Sequence, residues 1–414
     1  MKKILQPYKG LDSHIVYAIL AELCIQFINA SFLLILNIYM SKEGYKDYTI
    51  ADFISYRFLG VLSLAFPLGL FIKGRKLKPF FLAAGWGLPT VSLLMIYAIG
   101  RHSDTLLYIS LTLWGVFFTC MQVTILPYIL RNCKEELQSE AISLNYAMWS
   151  FSTILSGLAI YVLGKLNTVF DDKLMLQIFS VLGYGCIFFV SRIKKKEEIR
   201  SVEGKRYHLK HFDWLIISKA LLPTLIIAVG AGLTIPFINL FFFSVHHIGS
   251  EDFSFIGSVS AVFVTLAALA VPQIKRKYGY VIAITWCQIV AVAALVLLAS
   301  TDFYSHWKYA ALLATLFFLI RQPLMNMAAP MTSELIMSYV GEKNQEMVSA
   351  LTSAIWSGSW FISARGFKML RESGFAYGNI FLITAAIYFL GVLWYHLLIR
   401  EYESKKTVLA PIAR

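Results

Sequence analysis

Apolar runs of about twenty residues, separated by short polar stretches, recur along the whole chain. A helix of about 20 apolar residues crosses a hydrocarbon core of about 30 Å. That length predicts twelve spans, over 13–40, 49–72, 79–99, 104–130, 140–164, 173–191, 213–243, 253–274, 280–300, 308–336, 345–369 and 375–399. The loops between them are short, apart from a polar stretch at 192–212. The predicted fold is therefore all-α and membrane-integral, with twelve transmembrane helices. The opening residues, Met1-Lys2-Lys3-Ile4-Leu5-Gln6-Pro7, lack the short apolar core and small-residue cleavage site of a signal peptide. The first run reads as a retained helix.

Composition agrees with the pattern. Of 414 residues, 58% are hydrophobic and 15% charged, against about 45–50% and about 25% in soluble domains. A soluble two-domain enzyme and a disordered chain are both excluded. The formal net charge of +13 suggests nucleic acid at first sight, but little soluble chain is left on which to build a basic groove. Mapped onto the spans with a cytoplasmic N-terminus, 25 of the 37 Lys and Arg fall in cytoplasmic pieces and 8 in outer loops. Four lie within spans: Arg57, Lys219, Arg321 and Arg365. The positive-inside rule then predicts both termini in the cytoplasm, in an inner or plasma membrane. Most of the charge becomes a topological signal beside an anionic leaflet.

Cys24, Cys120, Cys186 and Cys287 lie inside spans, where they read as small buried hydrophobes, and Cys133 lies in a loop. None has metal-motif spacing. His246-His247 reads as a solvated pair in an outer loop. The chain has no phosphate loop ending Gly-Lys-Ser/Thr, no His-Glu-x-x-His and no Gly-x-Ser-x-Gly. An ATP-driven pump is disfavoured, and no cofactor or metal is expected.

Three weak internal matches occur in the same order in each half. Ile35-Leu36-Asn37-Ile38-Tyr39 parallels Phe237-Ile238-Asn239-Leu240-Phe241. Pro67 and Gly74 parallel Pro272 and Gly279. Leu144, Ala147, Trp149 and Ser150 parallel Leu351, Ala354, Trp356 and Ser357. The offsets are 202, 205 and 207 residues. Two six-helix bundles, 1–191 and 213–414, joined by a basic linker at 192–212, are the predicted organisation.

Six plus six helices in parallel repeats resemble the major facilitator superfamily over nearly the whole chain. The strongest local resemblances are Gly230-Ala231-Gly232-Leu233-Thr234-Ile235-Pro236-Phe237-Ile238-Asn239-Leu240 and Leu324-Met325-Asn326-Met327-Ala328-Ala329-Pro330. A third is the loop Gly69-Leu70-Phe71-Ile72-Lys73-Gly74-Arg75-Lys76. That loop is similar to the family's signature between helices 2 and 3, but it is shorter and lacks the acid before the basic pair. Its counterpart, Lys275-Arg276-Lys277-Tyr278-Gly279, lacks one too. The resemblance implies gating loops here, built on Gly69, Lys73, Gly74, Arg75, Lys76, Lys275, Arg276, Lys277 and Gly279. Lipid-facing topology signals are the alternative reading. The fourth span has no basic residue and the fifth no Gly-Pro-rich run, which lowers a drug–proton antiporter reading. The resemblance also implies that spans 1, 4, 7 and 10 line a central cavity.

Charges inside a bilayer are functional candidates by default. Glu22 lies roughly 14 Å into the first span, near the middle, and is a candidate proton-coupling or substrate carboxylate. Arg57 lies roughly 12 Å into the second span and Arg321 roughly 18 Å into the tenth. Together the three leave one excess positive charge, which favours an anionic or zwitterionic solute. Lys219 and Arg365, nearer span ends, read as snorkelling. Asp52, Glu140, Asp213 and Glu334 sit near helix ends, where water can solvate them. Asn29, Gln122, Asn145, Asn239 and Asn326 are candidate cavity polars, with helix-to-helix bonding as the alternative for each. Trp149 and Trp356 occupy equivalent positions as candidate stacking faces. Ser156, Gly157 and Ser363 suit close helix packing. Gly230, Gly232 and Pro236, with Pro127 and Pro330, are candidate bend points. The linker reads as an interfacial helix on the inner leaflet.

These features predict a monomeric secondary transporter of a small organic solute, working by alternating access with protons as candidate coupling ion. A solute-binding sensor or scaffold of the same fold is one rival. A membrane-embedded enzyme is the other, and it finds no convergent His, Asp or Ser set in the sequence.

Overall fold

The computed structural model describes residues 10–72, 74–195, 197 and 212–409. Every regular element among them is helical. The twelve long helices begin with α1, Ser13–Lys42, α2, Asp47–Phe71, and α3, Lys78–Gly100. Next come α4, Asp104–Asn132, α5, Gln138–Leu166, and α6, Asp172–Arg192. Then follow α7, Trp214–His246, α8, Ser250–Tyr280, and α9, Cys287–Ser300. The last are α10, Ala310–Val340, α11, Glu342–Glu372, and α12, Tyr377–Leu409.

Each predicted span coincides with one of these helices, and α8, α10 and α12 run a turn or more beyond the apolar run that announces them. Eleven are long and apolar enough to cross a membrane. The exception, α11, is diluted by Ser349, Thr352, Ser353, Ser357, Ser359 and Ser363. Several of these hydroxyls are satisfied within the helix: Thr352 donates to the Val348 carbonyl at 2.8 Å and Ser357 to that of Ser353 at 3.1 Å. A serine bonded back to its own backbone costs little in lipid. Around the helices, Leu166, Leu215 and Leu269 are among the most exposed side chains. Such exposure suits a chain whose outer surface meets hydrocarbon.

Two of the described helix starts carry side-chain caps. Asp171 accepts from the Leu174 amide at 2.7 Å and Asp213 from the Ile216 amide at 3.2 Å, so each satisfies one of the free donors of a first turn. The bends differ from expectation. α7 does change to a 3-10 turn at Ile235–Phe237, around Pro236. Pro127 and Pro330, in contrast, lie within continuous helices. Further irregularities are π turns at Phe32–Leu36 in α1 and Val281–Trp286 before α9. Neither contains proline or glycine, so the sequence gives no sign of them. α8 breaks at Gly279, whose φ of 71° is open to glycine and strained for other residues.

The chain divides into two compact units, Met1–Arg206 with Gly249–Ser258, and Tyr207–Ile248 with Val259–Arg414. In the first, α2 lies along α4, α3 packs on α4 and α6, and α1 packs on α5 and α6. A Cβ on Gly60 would stand 2.1 Å from the Thr112 carbonyl oxygen, and one on Gly115 would stand 2.2 Å from that of Arg57. Those two glycines let α2 and α4 touch backbone to backbone. Gly157 is similarly close to Ser254 and Ser258, in line with the small-residue packing expected there. In the second unit, α9 packs on α10 and α12, and α7 packs on α11 and α12. Ser363 of α11 donates to the Val229 carbonyl at 2.8 Å, beside Gly232.

Candidate functional site

The candidate site in the first unit centres on Glu22 of α1. Its side chain is fully buried. Oε1 accepts from Trp149 Nε1 at 3.0 Å and from Gln26 Nε2 at 3.3 Å. Asn145 and Gln122 face the same carboxyl from α5 and α4. Oε2 is enclosed and has no hydrogen-bond partner among the described residues. No cation pairs with this carboxyl there. Four of the sequence candidates, Glu22, Gln122, Asn145 and Trp149, are thus brought together. Every direct partner among the described residues is neutral, so gain or loss of a proton changes the local charge by a full unit with no directly bonded charge to offset it.

Arg57 of α2 is half-buried. Its guanidinium donates to Asn29 Oδ1 at 2.7 Å and lies 3.9 Å above the Trp114 ring. No acid pairs with this guanidinium among the described residues; an aromatic face and an amide hold the charge. The contact of α2 with α4 at Gly60 and Gly115 fixes this arrangement, because it sets the Arg57 backbone one residue from Trp114. Gln26, absent from the sequence candidates, joins Glu22 to Asn29: Asn29 Nδ2 donates to Gln26 Oε1 at 3.2 Å. Its position four residues after Glu22, on the same helix face, is the signal that would have found it.

In the second unit Arg321 of α10 is fully buried. It donates to Tyr388 Oη at 3.3 Å and to Gln322 Oε1 at 3.0 Å. Burial on α12 leaves no room for snorkelling. Asn239 is buried, with Oδ1 accepting from the Leu240 amide at 2.9 Å. Asn326 is exposed and donates to the Gln322 carbonyl at 2.8 Å. Trp356 packs edge-on to Trp360 at 6.3 Å. These four are not gathered into a cluster like that at Glu22.

Several expectations need correction. Asp52 is buried and accepts from Tyr108 Oη at 2.9 Å, because the start of α2 is covered by α4. Glu140 has Oε2 enclosed rather than solvated. His246 is buried against Phe241 and Phe242 and contacts Thr301 Oγ1 at 3.0 Å. The left-handed turn at His247, φ 55°, folds the end of α7 back and removes His246 from water. Cys133 is buried, whereas Cys24 and Cys287 are half-buried. Lys219 forms an ion pair with Glu401 of α12. Arg365 lies over the Phe361 ring at 5.8 Å.

The loops expected to gate acquire their acids from elsewhere. In the loop after α2, Gly74 has φ 67°, and Arg75 stacks on Phe71 at 3.8 Å. Lys76 is exposed, Gly69 is helical, and Lys73 lies outside the described residues. Arg131 of α4 donates to the carbonyls of Ile72 and Arg75, both at 3.1 Å. Glu197, beyond α6, accepts from the amides of Leu77 and Lys78 at the start of α3. In the counterpart, Lys275 pairs with Glu334 of α10, while Arg276, Lys277 and Gly279 are exposed. An acid thus reaches each loop region at long range, Glu334 on Lys275 of the second and Glu197 on the backbone amides that follow the first. Most of the basic linker, 198–211, lies outside the described residues, as does the interfacial helix expected there.

A helical bundle protein with an apolar periphery and buried uncompensated charges belongs among multi-pass membrane proteins. The sequence profile of the Major Facilitator Superfamily matches residues 18–364, and the chain belongs to that family, making it a transporter of small solutes. Solved structures share the fold. A D-xylose–proton symporter aligns with a TM-score of 0.73 at 13% identity, over 92% of this chain and 96% of its own. A mutant of the nucleoside transporter NupG aligns with a TM-score of 0.72 at 14% identity, over 94% and 100%. The POT family transporter PepTSo aligns with a TM-score of 0.72 at 12% identity, over 94% and 98%. No curated protein matches in sequence.

Proposed function

We propose that this chain is a proton-coupled secondary transporter of a small anionic or zwitterionic organic solute, with Glu22 as the coupling carboxyl. The observation that carries the reading is the Glu22 site itself: a carboxyl enclosed in α1, held by Trp149, Gln26, Asn145 and Gln122, with no directly bonded counter-charge among the described residues. A buried carboxyl without a counter-ion is suited to taking up and releasing a proton as its access to water changes. Arg57 and Arg321 supply positive charge for the solute, with Asn29, Asn239, Asn326 and Trp356 as further contacts. Two six-helix bundles, 1–191 and 213–414, exchange access through the loops at Gly69–Lys76 and Lys275–Gly279. The protein acts as a monomer in the cytoplasmic or plasma membrane with both termini in the cytoplasm, as the distribution of Lys and Arg supports.

The test is transport in proteoliposomes under an imposed pH gradient, with a panel of carboxylates, amino acids, sugars and nucleosides. At least one solute is expected to move with the gradient, and Glu22→Gln is expected to abolish the gradient's effect. Gradient-driven transport that persists undiminished in Glu22→Gln refutes the assignment.

A further inference from the structure

The contacts around Glu22 continue in one direction. Arg57 Nη2 donates to Asn29 Oδ1 at 2.7 Å, Asn29 Nδ2 to Gln26 Oε1 at 3.2 Å, and Gln26 Nε2 to Glu22 Oε1 at 3.3 Å. Every donor in the series points from the guanidinium towards the carboxyl, so the two amide dipoles are aligned between cation and anion. Burial changes along the series. Glu22 and Gln26 are closed off, while Asn29 and Arg57 are half-buried.

We propose that Gln26 and Asn29 form a relay through which proton occupancy of Glu22 sets whether Arg57 is free to bind the carboxylate of a solute. The proposal rests on Glu22 being the coupling group. With Glu22 ionised, the relay ends on a charged acceptor, which strengthens and orients each bond in it. Asn29 Oδ1 is then held on the guanidinium, and the two charges cancel for any anion that arrives. With Glu22 protonated, the charged acceptor is gone and the site carries one net positive charge. The Arg57 head exchanges Asn29 for a carboxylate, which it holds through two parallel N–H donors. One proton thereby accompanies one anionic charge.

The surroundings leave these two charges as the ones that matter. Around Glu22, α4 and α5 present Gln122, Asn145 and Trp149, none of which titrates in the physiological range. Cys24 of α1 packs towards Gly185 of α6. Around Arg57, α4 presents Trp114 and α1 presents Asn29. The titratable groups nearest along α2 and α4 are engaged with one another: Tyr108 donates to Asp52, and its ring lies 4.5 Å from that of Tyr56. Gly115 pins the Arg57 backbone, so the side chain can respond by trading partners at its head without moving its stem.

The experiment uses the full chain in nanodiscs of neutral lipid, with iodide as an anionic quencher. The signal is the fluorescence of Trp114, taken as the difference between the protein and its Trp114→Phe variant across a pH titration. Iodide should quench Trp114 about tenfold more tightly at acid than at alkaline pH, a coupling of ordinary size. Glu22→Gln should quench tightly at every pH, and Arg57→Gln weakly at every pH. Gln26→Leu and Asn29→Ala break the relay at separate links, so one serves if the other fails to fold. Each should lose the pH dependence, and Gln26→Leu, which leaves the contact of Arg57 with Asn29 in place, should keep the quenching. If Glu22→Gln removes the pH dependence but both relay variants retain it, the relay is overturned and the coupling role of Glu22 stands. If the dependence survives in Glu22→Gln itself, the relay and the carboxyl's part in it both fall.

Discussion

At the residue scale, how a buried charge is satisfied separates Arg321 from Arg57. Arg321 is enclosed and bonded to Tyr388 Oη. Removing that hydroxyl leaves a charged donor buried and unpaired, at a cost of about 1–3 kcal/mol. Tyr388→Phe keeps the ring beneath the guanidinium, 5.7 Å away, so the effect should be a melting temperature lower by a few degrees in purified protein, without loss of fold. Cys133 gives a second prediction. Its burial pushes the thiol above its ordinary range, with Asp12 and Glu140 adding to the effect. Less thiolate is present at neutral pH, and the thiolate is the reactive form. A variant with Cys133 as its single cysteine should label slowly with maleimide until denatured. Fast labelling of the folded protein would contradict this. The sequence shows Cys133 as a loop residue because its cover comes from elsewhere in the fold. Glu22 and Trp149 are legible as candidates for the opposite reason, since charge and aromatic surface inside an apolar run stand out wherever their partners lie.

At the element scale, the helices are legible because the membrane requires every backbone donor to be satisfied within its own segment, which leaves long apolar helices as the solution. Contacts between helices are far less legible. Gly60 and Gly69 look alike in the sequence, both in α2. A Cβ on Gly60 would meet the Thr112 backbone at 2.1 Å, whereas one on Gly69 meets nothing within 4 Å. Gly60→Ala must push α2 and α4 apart and should cost ~1–3 kcal/mol or more. Gly69→Ala should be neutral or stabilise by about 0.5–1 kcal/mol, since alanine is the better helix former. Thermal melts of the two variants side by side test this, and equal behaviour would refute the close approach. The gating loops illustrate the same limit. Their lack of an acid is plain in the sequence, but Glu197 and Glu334 reach them from 120 and 59 residues away. No local pattern encodes such a pairing.

At the scale of the whole molecule, the repeat read from three weak matches recurs in the packing. α1 on α5 and α6 has its like in α7 on α11 and α12, and α3 on α4 and α6 in α9 on α10 and α12. The symmetry is incomplete at Gly249–Ser258, which belongs to the first unit although it begins the second repeat's α8. Two ion pairs hold that segment's surroundings, and burial decides between them. Lys165 and Asp252 are 2.9 Å apart, but both are about half exposed, so water screens the pair and it contributes little. Lys42 Nζ lies 2.8 Å from Asp172 Oδ2, and Asp172 is 6% exposed. Ser250 Oγ donates to the same oxygen at 2.8 Å and accepts from Lys42 at 3.1 Å. Losing Lys42 leaves a buried carboxylate with a single hydroxyl donor. Lys42→Ala should therefore lower stability by ~1–3 kcal/mol, and Lys165→Ala by little. In a double-mutant cycle, adding Asp172→Asn to Lys42→Ala should recover part of the loss, because the uncompensated charge is gone. Additive losses from the two substitutions would mean that Lys42 and Asp172 act independently. The first turns of α8 would then be held to the first unit by close packing, through Gly157 against Ser254 and Ser258, and by the hydrogen bond of Ser258 to the Ile154 carbonyl.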